Sequence, residues 1–246
     1  MDGNGRWAKA RRRPRLSGHR AGADALDRTM HYCRDAGIRY LTVYAFSTEN
    51  WKRSTEEVSG LMSLLSRYIR TKGKQLVKDG VRFRVIGRRA DLSPKLQKEI
   101  AALEEKTKAG DFTLVVALSY GGRDEIVRAA AKLAAKGLLG SDRVGLGSGA
   151  KRPYLTLNDA NESSLKPGKS MEELFSSCLD TAGIPDPDLI IRTSGELRLS
   201  NFLLWQAAYA EFYFTDVLWP DFDKAEFDKA LDSFARRDRR MGGRGK

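Results

Sequence analysis

The stretch that decides the fold is Thr-Leu-Val-Val-Ala-Leu at residues 113–118, which is followed by Gly121-Gly122 and a helical pattern near 123–136. A short apolar run without alternation predicts a strand that is buried on both faces, as in a parallel sheet. Four more strands are predicted, at residues 41–46, 81–86, 188–191 and 212–214.

Helical patterns lie between these strands. Ser54 and Glu57 have the spacing of a capping box, with Ser54 as the N-cap, and Ser93-Pro94 places a proline at a first helical position. Two further helices are predicted, near residues 171–182 and over 224–235. The alternation predicts an α/β fold in a single domain, with a mostly parallel, doubly wound central sheet flanked by helices.

Ligands bind such sheets at the carboxyl ends of the strands. Polar or glycine-rich segments stand at these positions after three of the predicted strands, at residues 47–51, 119–122 and 192–195. We therefore expect the functional site to be built from these segments.

Positive charge is concentrated at the two ends of a chain whose formal net charge is +12. Residues 1–20 hold seven basic residues against one acidic residue, and residues 236–246 hold six against one. Such ends can bind phosphates, an acidic membrane surface or nucleic acid, or remain solvated tails. The absence of a helix-turn-helix, zinc-finger or RNP pattern argues against nucleic acid, and the absence of GxxxxGK[ST] argues against a nucleotide site.

The remaining bulk features predict a cytoplasmic protein. No apolar run approaches the roughly 18–20 residues that a membrane helix needs, and no secretory signal is visible. The sequence has only two cysteines, Cys33 and Cys178, and they lack metal-like spacing. So few cysteines are typical of a protein in a reducing compartment. Residues 137–168 contain six glycines and are predicted to be a mobile insertion, while residues 241–246 form a basic tail.

The first candidate site is MDGNGRW at residues 1–7. Its two glycines let backbone N–H groups approach an anion closely, and Arg6 adds a fork of donors. Asp2 can hold a Mg²⁺ ion that bridges phosphate oxygens. An ordinary Asp-Gly turn is the alternative. His19, between Gly18 and Arg20, suits phosphate contact, or is a surface histidine.

Two further sets follow strands. Residues 47–53 offer hydroxyl, carboxylate, amide and guanidinium groups, with core packing as the alternative for Trp51. Arg192, Arg198 and Ser200 are expected to converge on one diphosphate. Glu211 lies in an aromatic-rich run, where a carboxylate needs a metal ion or a salt bridge. Two basic sets and much apolar surface fit a substrate with an anionic head and an apolar tail.

These segments resemble the cis-prenyltransferases, the family that includes the bacterial undecaprenyl diphosphate synthases. The matching segments run in family order over nearly the whole chain: MDGNGRWA (1–8), GHRAG (18–22), YAFSTENW (44–51), YGGR (120–123), DLIIRTSG (188–195), ELRLSNFLLWQ (196–206) and LWPDF (218–222).

The resemblance implies a Mg²⁺-dependent transferase that condenses isopentenyl diphosphate onto an allylic diphosphate, with farnesyl diphosphate as the expected primer. The expected product is undecaprenyl diphosphate for the lipid carrier of cell-wall synthesis. The resemblance also implies a domain over residues 1–240, a homodimer, and peripheral membrane contact through the product. The alternative is a non-catalytic prenyltransferase-like subunit, which would be expected to lose Asp2 or the Arg198-Leu-Ser200 set.

The resemblance assigns roles to residues of this chain. Asp2 is implied to bind Mg²⁺ and to be the most critical catalytic residue, Asn50 to be the proton acceptor, and Glu211 to be a second metal ligand, from this chain or from the partner subunit. The residues implied to bind substrate are Gly3, Asn4, Gly5, Arg6, Trp7, Arg15 and His19 around the allylic diphosphate, Ser47, Thr48, Glu49, Trp51 and Arg53 along the site, and Arg192, Arg198, Leu199 and Ser200 around isopentenyl diphosphate.

The growing product needs an apolar tunnel, and residues 41–46, 61–65 and 112–118 are expected to line it, with Phe112 at its floor. Two positions depart from the family pattern. A hydrophobic strand usually precedes MDGNGR, so either the true start lies upstream of Met1 or a sheet strand is missing, which would leave Asp2 on an end that is prone to fray. Ser119 stands where an asparagine commonly precedes YGGR.

Overall fold

A computed structural model describes residues 1–135 and 170–238 of the chain. The expected insertion at 137–168 and the basic tail at 241–246 lie outside the described residues. The chain divides into two compact units, one formed by Met1–Gly122 with Asp186–Lys246 and the other by Arg123–Pro185. The domain boundaries 1–240 stay a prediction.

Seven helices and five strands make up the described part of the chain, besides short 3-10 turns. In chain order they are α1 (Asn4–Ala10), α2 (Arg15–Asp35), β1 (Tyr40–Ser47), α3 (Thr55–Lys78), β2 (Val81–Ile86), α4 (Pro94–Thr107), β3 (Phe112–Tyr120), α5 (Gly122–Ala135), α6 (Met171–Ser176), β4 (Leu189–Arg192), β5 (Glu211–Phe214) and α7 (Lys224–Ala235).

Every described strand pair is parallel. β3 lies between β1 and β2, with Val116 opposite both Val43 and Val85, and all of its residues are buried. β4 pairs with β5 so that Leu189 faces Glu211 and Arg192 faces Phe214. The α/β class with a parallel sheet flanked by helices is therefore confirmed. β3 shows no alternation of apolar and polar residues because both of its faces are covered.

Apolar side chains from α3 and α4 cover β2. Ile69 and Leu76 on α3, Ile100 and Leu103 on α4, and Phe83 on β2 are all buried in one core cluster. Burying each such side chain stabilises the fold by about 1.5–3 kcal/mol. The carboxyl ends of β1 and β3, with the polar segments 47–51 and 119–122, lie at one edge of this three-stranded sheet, whereas β4 and β5 form a separate two-stranded sheet.

The helix starts follow their caps. Ser54 accepts a hydrogen bond from Glu57 N–H at 3.3 Å, and Ser93 accepts one from Leu96 N–H at 3.3 Å. The capping box at Ser54 is only half confirmed, because the Glu57 carboxylate accepts from Arg53 Nη1 at 2.8 Å. A charged donor competes better for a carboxylate than a backbone N–H does.

The predicted helix at 171–182 is wrong in its length, since α6 ends at Ser176. Beyond it, Cys178 N–H and Leu179 N–H reach back three residues in tight turns. Asp180 is drawn to α5, where its carboxylate accepts from both Arg128 Nη groups at 2.7 and 2.8 Å. This ion pair, together with the turns, ends the helical path inside the second unit. None of the described helices is long and apolar enough to cross a membrane.

Candidate active site

Asp2 is held firmly although it stands at the first turn of the described chain. Its N–H donates to Thr193 Oγ1 at 3.1 Å, and the same hydroxyl donates back to its carbonyl oxygen at 3.0 Å. Trp219 N–H donates to that carbonyl at 2.9 Å. The expected fraying of Asp2 is therefore wrong, because the segment after β4 and the turn at Trp219–Asp221 both bind its backbone.

The carboxylate of Asp2 lies between donors. Gly3 N–H donates to Oδ1 at 2.7 Å and Arg192 Nη2 donates to Oδ2 at 3.1 Å. Burial raises the pKa of Asp2, but the bonds from Arg192 and Gly3 outweigh it, so the pKa lies below its ordinary value. Arg6 Nη2 stands 3.9 Å from Oδ1. Asp2 thus carries its negative charge at neutral pH and keeps a half-exposed face.

Of the three residues expected to converge on one diphosphate, the structure brings Arg192 and Ser200 together. Arg192 Nη1 donates to Ser200 Oγ at 2.8 Å and to the carbonyl oxygen of Arg198. The Arg198 guanidinium instead meets Glu196 Oε2 at 2.5 Å, and Arg6 Nη2 donates to Glu196 Oε1 at 3.0 Å. Glu196 therefore joins the two predicted diphosphate sets, with Arg6 from one and Arg198 from the other.

A second carboxylate organises the basic residues of the first set. Glu57 Oε1 accepts from Arg53 Nη1 at 2.8 Å and lies 3.3 Å from Arg15 Nε. Gly5 makes room for this arrangement, because a Cβ on it would lie 3.1 Å from Arg15 Nε. Arg15 of α2, Glu57 of α3 and Arg53 from the segment before α3 thus form one basic cluster beside Gly5 of α1.

His19 lies on α2 beside the same cluster. Burial is the main cause that lowers its pKa to about 4, and the charges of Arg53 and Arg15 lower it further, while Glu57 opposes them. Its buried Nε2 has no hydrogen-bond partner among the described residues. A neutral imidazole with an unsatisfied nitrogen is ready to bind a ligand, since a buried polar atom left alone costs about 1–3 kcal/mol.

Two glycines let α1 approach its neighbours. Gly3 has φ +96°, in the region that favours glycine, and a Cβ on it would lie 2.2 Å from Ser194 Oγ. A Cβ on Gly18 would lie 2.0 Å from the carbonyl oxygen of Asn4. Gly3, which the sequence assigned to anion contact, therefore also allows close packing against Ser194, and Gly18 allows the backbone of α1 to approach α2.

Trp7 holds α1 to the turn at Trp219–Asp221. Its indole N–H donates to Asp221 Oδ1 at 2.7 Å, and the Arg11 guanidinium lies 4.3 Å from the centre of its ring. Arg11 Nη2 also donates to Asp221. These contacts fix the helix that follows Asp2, and they give Trp7 a structural role in addition to its predicted one.

Residues 48–52 form a 3-10 turn after β1. Asn50 Oδ1 accepts from Ser47 N–H at 3.1 Å, which closes a capping box at the start of the turn. Glu49 Oε1 accepts from Asn201 Nδ2 at 3.0 Å. Thr48 Oγ1 would lie 2.8 Å from a Cβ on Gly121, so it packs against the end of β3.

Three aromatic rings support the segment that carries Leu199 and Ser200. Tyr44 stacks on Phe202 with ring centres 4.8 Å apart, and Tyr120 meets Phe202 edge-on at 6.3 Å. Ser200 and Asn201 have φ of 49° and 67° in this segment. Residues other than glycine held in this region store strain, which is typical of binding sites.

Glu211 lies apart from Asp2 within the chain. It opens β5 opposite Leu189, while Arg192, the partner of Asp2, lies opposite Phe214. Its Oε2 accepts from Arg237 Nη1 at 2.6 Å. The salt bridge that the sequence left open as an alternative is therefore present.

The donor set at Asp2 fits Mg²⁺. Mg²⁺ is usually held by one or two carboxylates together with substrate phosphate oxygens and water, rather than by a cage of protein ligands. No group of three or more His, Cys, Asp or Glu side chains suited to a metal occurs in residues 1–135 and 170–238. A single half-exposed carboxylate among arginines is what a metal that arrives with a diphosphate requires.

Two site residues, Glu57 and Glu196, were missed as site residues by sequence reasoning. Glu57 was assigned only to a helix cap, and Glu196 only to a matching segment. Both stand beside basic residues in the sequence: Glu57 follows Arg53 by four residues, and Glu196 precedes Arg198 by two. The opposite charges four residues apart were the available signal, and the pair forms although Arg53 has extended backbone just before α3.

Comparison with known proteins identifies the family to which the chain belongs. A family model described as "putative undecaprenyl diphosphate synthase" matches residues 1–242. An isoprenyl transferase from Fusobacterium nucleatum is 48% identical over 246 residues, covering 99% of this chain and 93% of the relative. An isoprenyl transferase from Aquifex aeolicus is 46% identical, covering 98% and 93%.

Solved structures give the same result. The lavandulyl diphosphate synthase of Lavandula x intermedia, solved with dimethylallyl diphosphate, superposes with a TM-score of 0.82 at 35% identity, covering 98% of this chain and 95% of that one. A probable undecaprenyl diphosphate synthase from Campylobacter jejuni has a TM-score of 0.73 at 34% identity, covering 91% and 92%.

Proposed function

Since the chain belongs to the undecaprenyl diphosphate synthase family and is a prenyltransferase, we propose that it condenses isopentenyl diphosphate onto an allylic diphosphate. Farnesyl diphosphate is the proposed primer and undecaprenyl diphosphate the proposed product, as a precursor of the lipid carrier for cell-wall synthesis. The solved relative that carries dimethylallyl diphosphate, itself an allylic diphosphate, supports this substrate class.

One observation carries the proposal: Asp2 lies between Arg192 and Arg6, which belong to two different basic sets. Two diphosphates need two such sets, and a reaction between them needs the sets side by side. We assign Arg6, Arg15, His19 and Arg53, with residues 3–5, to the allylic diphosphate. We assign Arg192, Arg198 and Ser200 to isopentenyl diphosphate.

The reaction begins when the bond between the allylic carbon and the diphosphate oxygen breaks. Arginine forks bind the departing diphosphate where its charge develops, which lowers the barrier. Asp2 would hold Mg²⁺, and the ion would supply further neutralisation of that charge. The double bond of isopentenyl diphosphate then attacks the allylic carbon, and loss of one proton restores a double bond in the product.

Asn50 is the proposed proton acceptor, but its Oδ1 already accepts from Ser47 N–H at 3.1 Å. An amide is a weak base, so we expect Asn50 to contribute as much by shaping the turn as by taking the proton. Glu49 and Trp51 stand beside it in the same turn and are assigned to line the site.

Partly buried apolar side chains on α3 and β1 support the proposed product tunnel. Leu61, Met62 and Leu65 on α3 pack against the core but are only partly buried, and so is Leu41 on β1. Apolar side chains that touch the core and still keep accessible surface are what a prenyl chain requires on its path. We propose that the product grows between α3 and β1 toward Phe112.

The test is direct. The purified protein is incubated with farnesyl diphosphate, radiolabelled isopentenyl diphosphate and Mg²⁺, and the labelled products are separated by chain length. We expect a ladder of elongated products that disappears when the metal is chelated. The proposal fails if no labelled product longer than the primer forms at any primer length tested.

The residues present do not favour the alternative of a non-catalytic prenyltransferase-like subunit. Asp2, Arg198 and Ser200 are all present, and both Asp2 and Ser200 bind Arg192. Homodimer formation and peripheral membrane contact through the product remain proposals, and the first is addressed below by mixing two variants.

A further inference from the structure

Ser119 joins β3 to the turn at residues 48–52. It is the penultimate residue of β3, is fully buried, and has φ +47°. Its carbonyl oxygen accepts from Arg88 N–H at 3.0 Å, so the backbone beside β2 holds it in this strained conformation. The hydroxyl therefore projects from a rigid point of the sheet.

The hydroxyl lies between two side chains from different elements. Trp51 Nε1 donates to Ser119 Oγ at 2.8 Å, and Ser119 Oγ donates to Asp91 Oδ2 at 2.6 Å. Asp91 ends the short 3-10 turn Arg89–Asp91, and Arg88 Nε stands 3.8 Å from its carboxylate. A chain of three side chains thus leads from the loop after β2, through β3, to the 48–52 turn.

The direction of this chain is set by chemistry. An indole nitrogen can only donate and an ionised carboxylate can only accept, so the single hydroxyl proton must point at Asp91. A lone pair of the hydroxyl then faces Trp51. Because the carboxylate polarises the hydroxyl, its oxygen becomes a better acceptor for the indole N–H.

Trp51 needs this support because it is otherwise loosely held. Its side chain is 36% exposed, and Phe46 meets it edge-on with ring centres 5.0 Å apart. The ring belongs to the same turn as Glu49 and Asn50, which line the proposed site. A shift of the indole would therefore move the backbone that carries both neighbours.

We propose that Asp91 and Ser119 are positioning residues that orient Trp51, and with it the 48–52 turn, for substrate binding. This inference rests on the proposed function of the site. Neither residue contacts the arginine cluster in the described contacts. Both act through the indole, which links a carboxylate in the loop after β2 to the substrate-binding turn.

A double-mutant cycle tests the coupling. Ser119→Ala and Asp91→Asn each weaken the hydrogen bonds that link Trp51, Ser119 and Asp91. Trp51→Phe keeps a ring against Phe46 but removes the indole N–H. We expect Ser119→Ala to raise the KM for one of the two diphosphates about 5- to 10-fold, the worth of one hydrogen bond, with a smaller change in kcat. In the Trp51→Phe background the same substitution should change the KM less than about 2-fold.

Ser66→Ala is the matched control. Ser66 Oγ donates to Glu99 Oε2 at 2.5 Å, so it makes the same kind of bond to a carboxylate, between α3 and α4. Its loss should leave both KM values unchanged. The inference is overturned if Ser119→Ala raises the KM equally in both backgrounds, or if it leaves the KM unchanged in the wild-type background.

An NMR measurement separates this inference from the proposed function. The Nε1–H signal of Trp51, assigned by its loss in Trp51→Phe, should move in Ser119→Ala and Asp91→Asn, while the signals of Trp7, Trp205 and Trp219 stay in place. If the wild-type protein elongates no primer, the proposed function is overturned. The indole signal would still report whether Trp51 is hydrogen-bonded to Ser119. If the Trp51 indole signal does not move in either variant, the hydrogen-bonded link from Asp91 through Ser119 to Trp51 is overturned.

Discussion

At the level of single residues, the site is built from arginine pairs that share a carboxylate. Glu57 joins Arg15 to Arg53, and Glu196 joins Arg6 to Arg198. Two guanidinium groups close together repel each other, and an intervening carboxylate offsets this repulsion before the substrate arrives. A diphosphate must then compete with these carboxylates, so binding exchanges one set of ion pairs for another.

Asp2→Asn tests the role of the central carboxylate. The amide keeps the shape but removes the charge that would hold Mg²⁺, so we expect kcat to fall by roughly 10²- to 10³-fold, the usual cost of losing one electrostatic contact at a reacting centre. The measurement is steady-state incorporation of labelled isopentenyl diphosphate. Asp228→Asn on α7, which removes an exposed partner of Lys224, should leave kcat unchanged.

His19 gives a prediction for pH. Burial lowers its pKa to about 4 from an ordinary 6.5, so the unfolded chain binds more protons in that window. The free energy of unfolding should therefore fall as the pH drops from about 6.5 to about 4. The imidazole signals of His19 and His31, separated by a His31→Gln variant, follow the titration by NMR.

Added pyrophosphate should raise the pKa of His19, because a nearby anion favours the imidazolium form. A His19 signal that titrates near pH 6.5 in the ligand-free protein would contradict the burial argument. A pKa that ignores pyrophosphate would remove His19 from the proposed diphosphate site.

At the level of elements, α1 depends on α2 for its position. The carbonyl oxygen of Asn4 would lie 2.0 Å from a Cβ on Gly18, so the two helices touch through backbone. Asp2 precedes α1 directly, and Trp7 ties the helix to Asp221. The position of the Asp2 carboxylate is thus decided by helix packing as well as by its own hydrogen bonds.

Gly18→Ala should push α1 away from α2. We expect the free energy of unfolding to fall by about 1–3 kcal/mol, the usual cost of overpacking, with a loss of product formation because Asp2 moves. The comparison is Gly60→Ala on α3, where the nearest atom, on Leu16, would lie 3.4 Å away. Urea unfolding should show Gly60→Ala to be neutral or more stable by up to about 1 kcal/mol, and equal destabilisation of both variants would contradict the packing argument.

At the level of the whole molecule, the strand lengths separate the site from the proposed tunnel floor. β3 runs from Phe112 to Tyr120, which is about 26 Å at about 3.3 Å per residue. The polar segments stand at its carboxyl end, whereas Phe112 is buried at the other end. A product that grows along this strand would reach Phe112 last.

Phe112→Ala should therefore lengthen the product ladder, and Phe112→Trp should shorten it, as measured by sizing the labelled products. Phe227→Ala on α7 removes a ring that is also buried, with a comparable cost of about 3–5 kcal/mol, and should leave the ladder unchanged. An unaltered ladder in both Phe112 variants would show that the tunnel ends elsewhere.

Mixing two inactive variants tests whether Glu211 acts from the partner subunit. Within the chain, Glu211 and the Arg192 that binds Asp2 lie three residues apart in register, about 10 Å along β4 and β5. If Glu211 serves the partner's site, a mixed dimer of Asp2→Asn and Glu211→Gln contains one intact site. Activity should therefore return when the two variants are unfolded, mixed and refolded together. Activity that stays at the level of the separate variants would place Glu211 in its own chain's site or outside any site.

The sequence by itself determined the class of fold and the family, and it predicted the charged residues that the structure brings together around Asp2. Unbroken apolar runs such as residues 113–118 predict buried parallel strands because both faces must be covered, and the N-caps Ser54 and Ser93 mark helix starts because a side-chain oxygen satisfies a free N–H. The order of the segments around Asp2, His19 and Arg192 was sufficient to indicate the family.

Only the tertiary structure decided how these residues are paired. The Glu57 carboxylate pairs with Arg53 and Arg15 instead of closing the capping box, and Glu196 bridges two sets that are far apart in the chain. Ser119 on β3 accepts a hydrogen bond from Trp51 in the turn after β1. Such pairings depend on which elements meet in space, and periodicity along a chain carries no information about contacts between distant segments. The anchoring of Asp2 by Thr193 and Trp219 has the same origin, which is why a residue expected to fray is held in place.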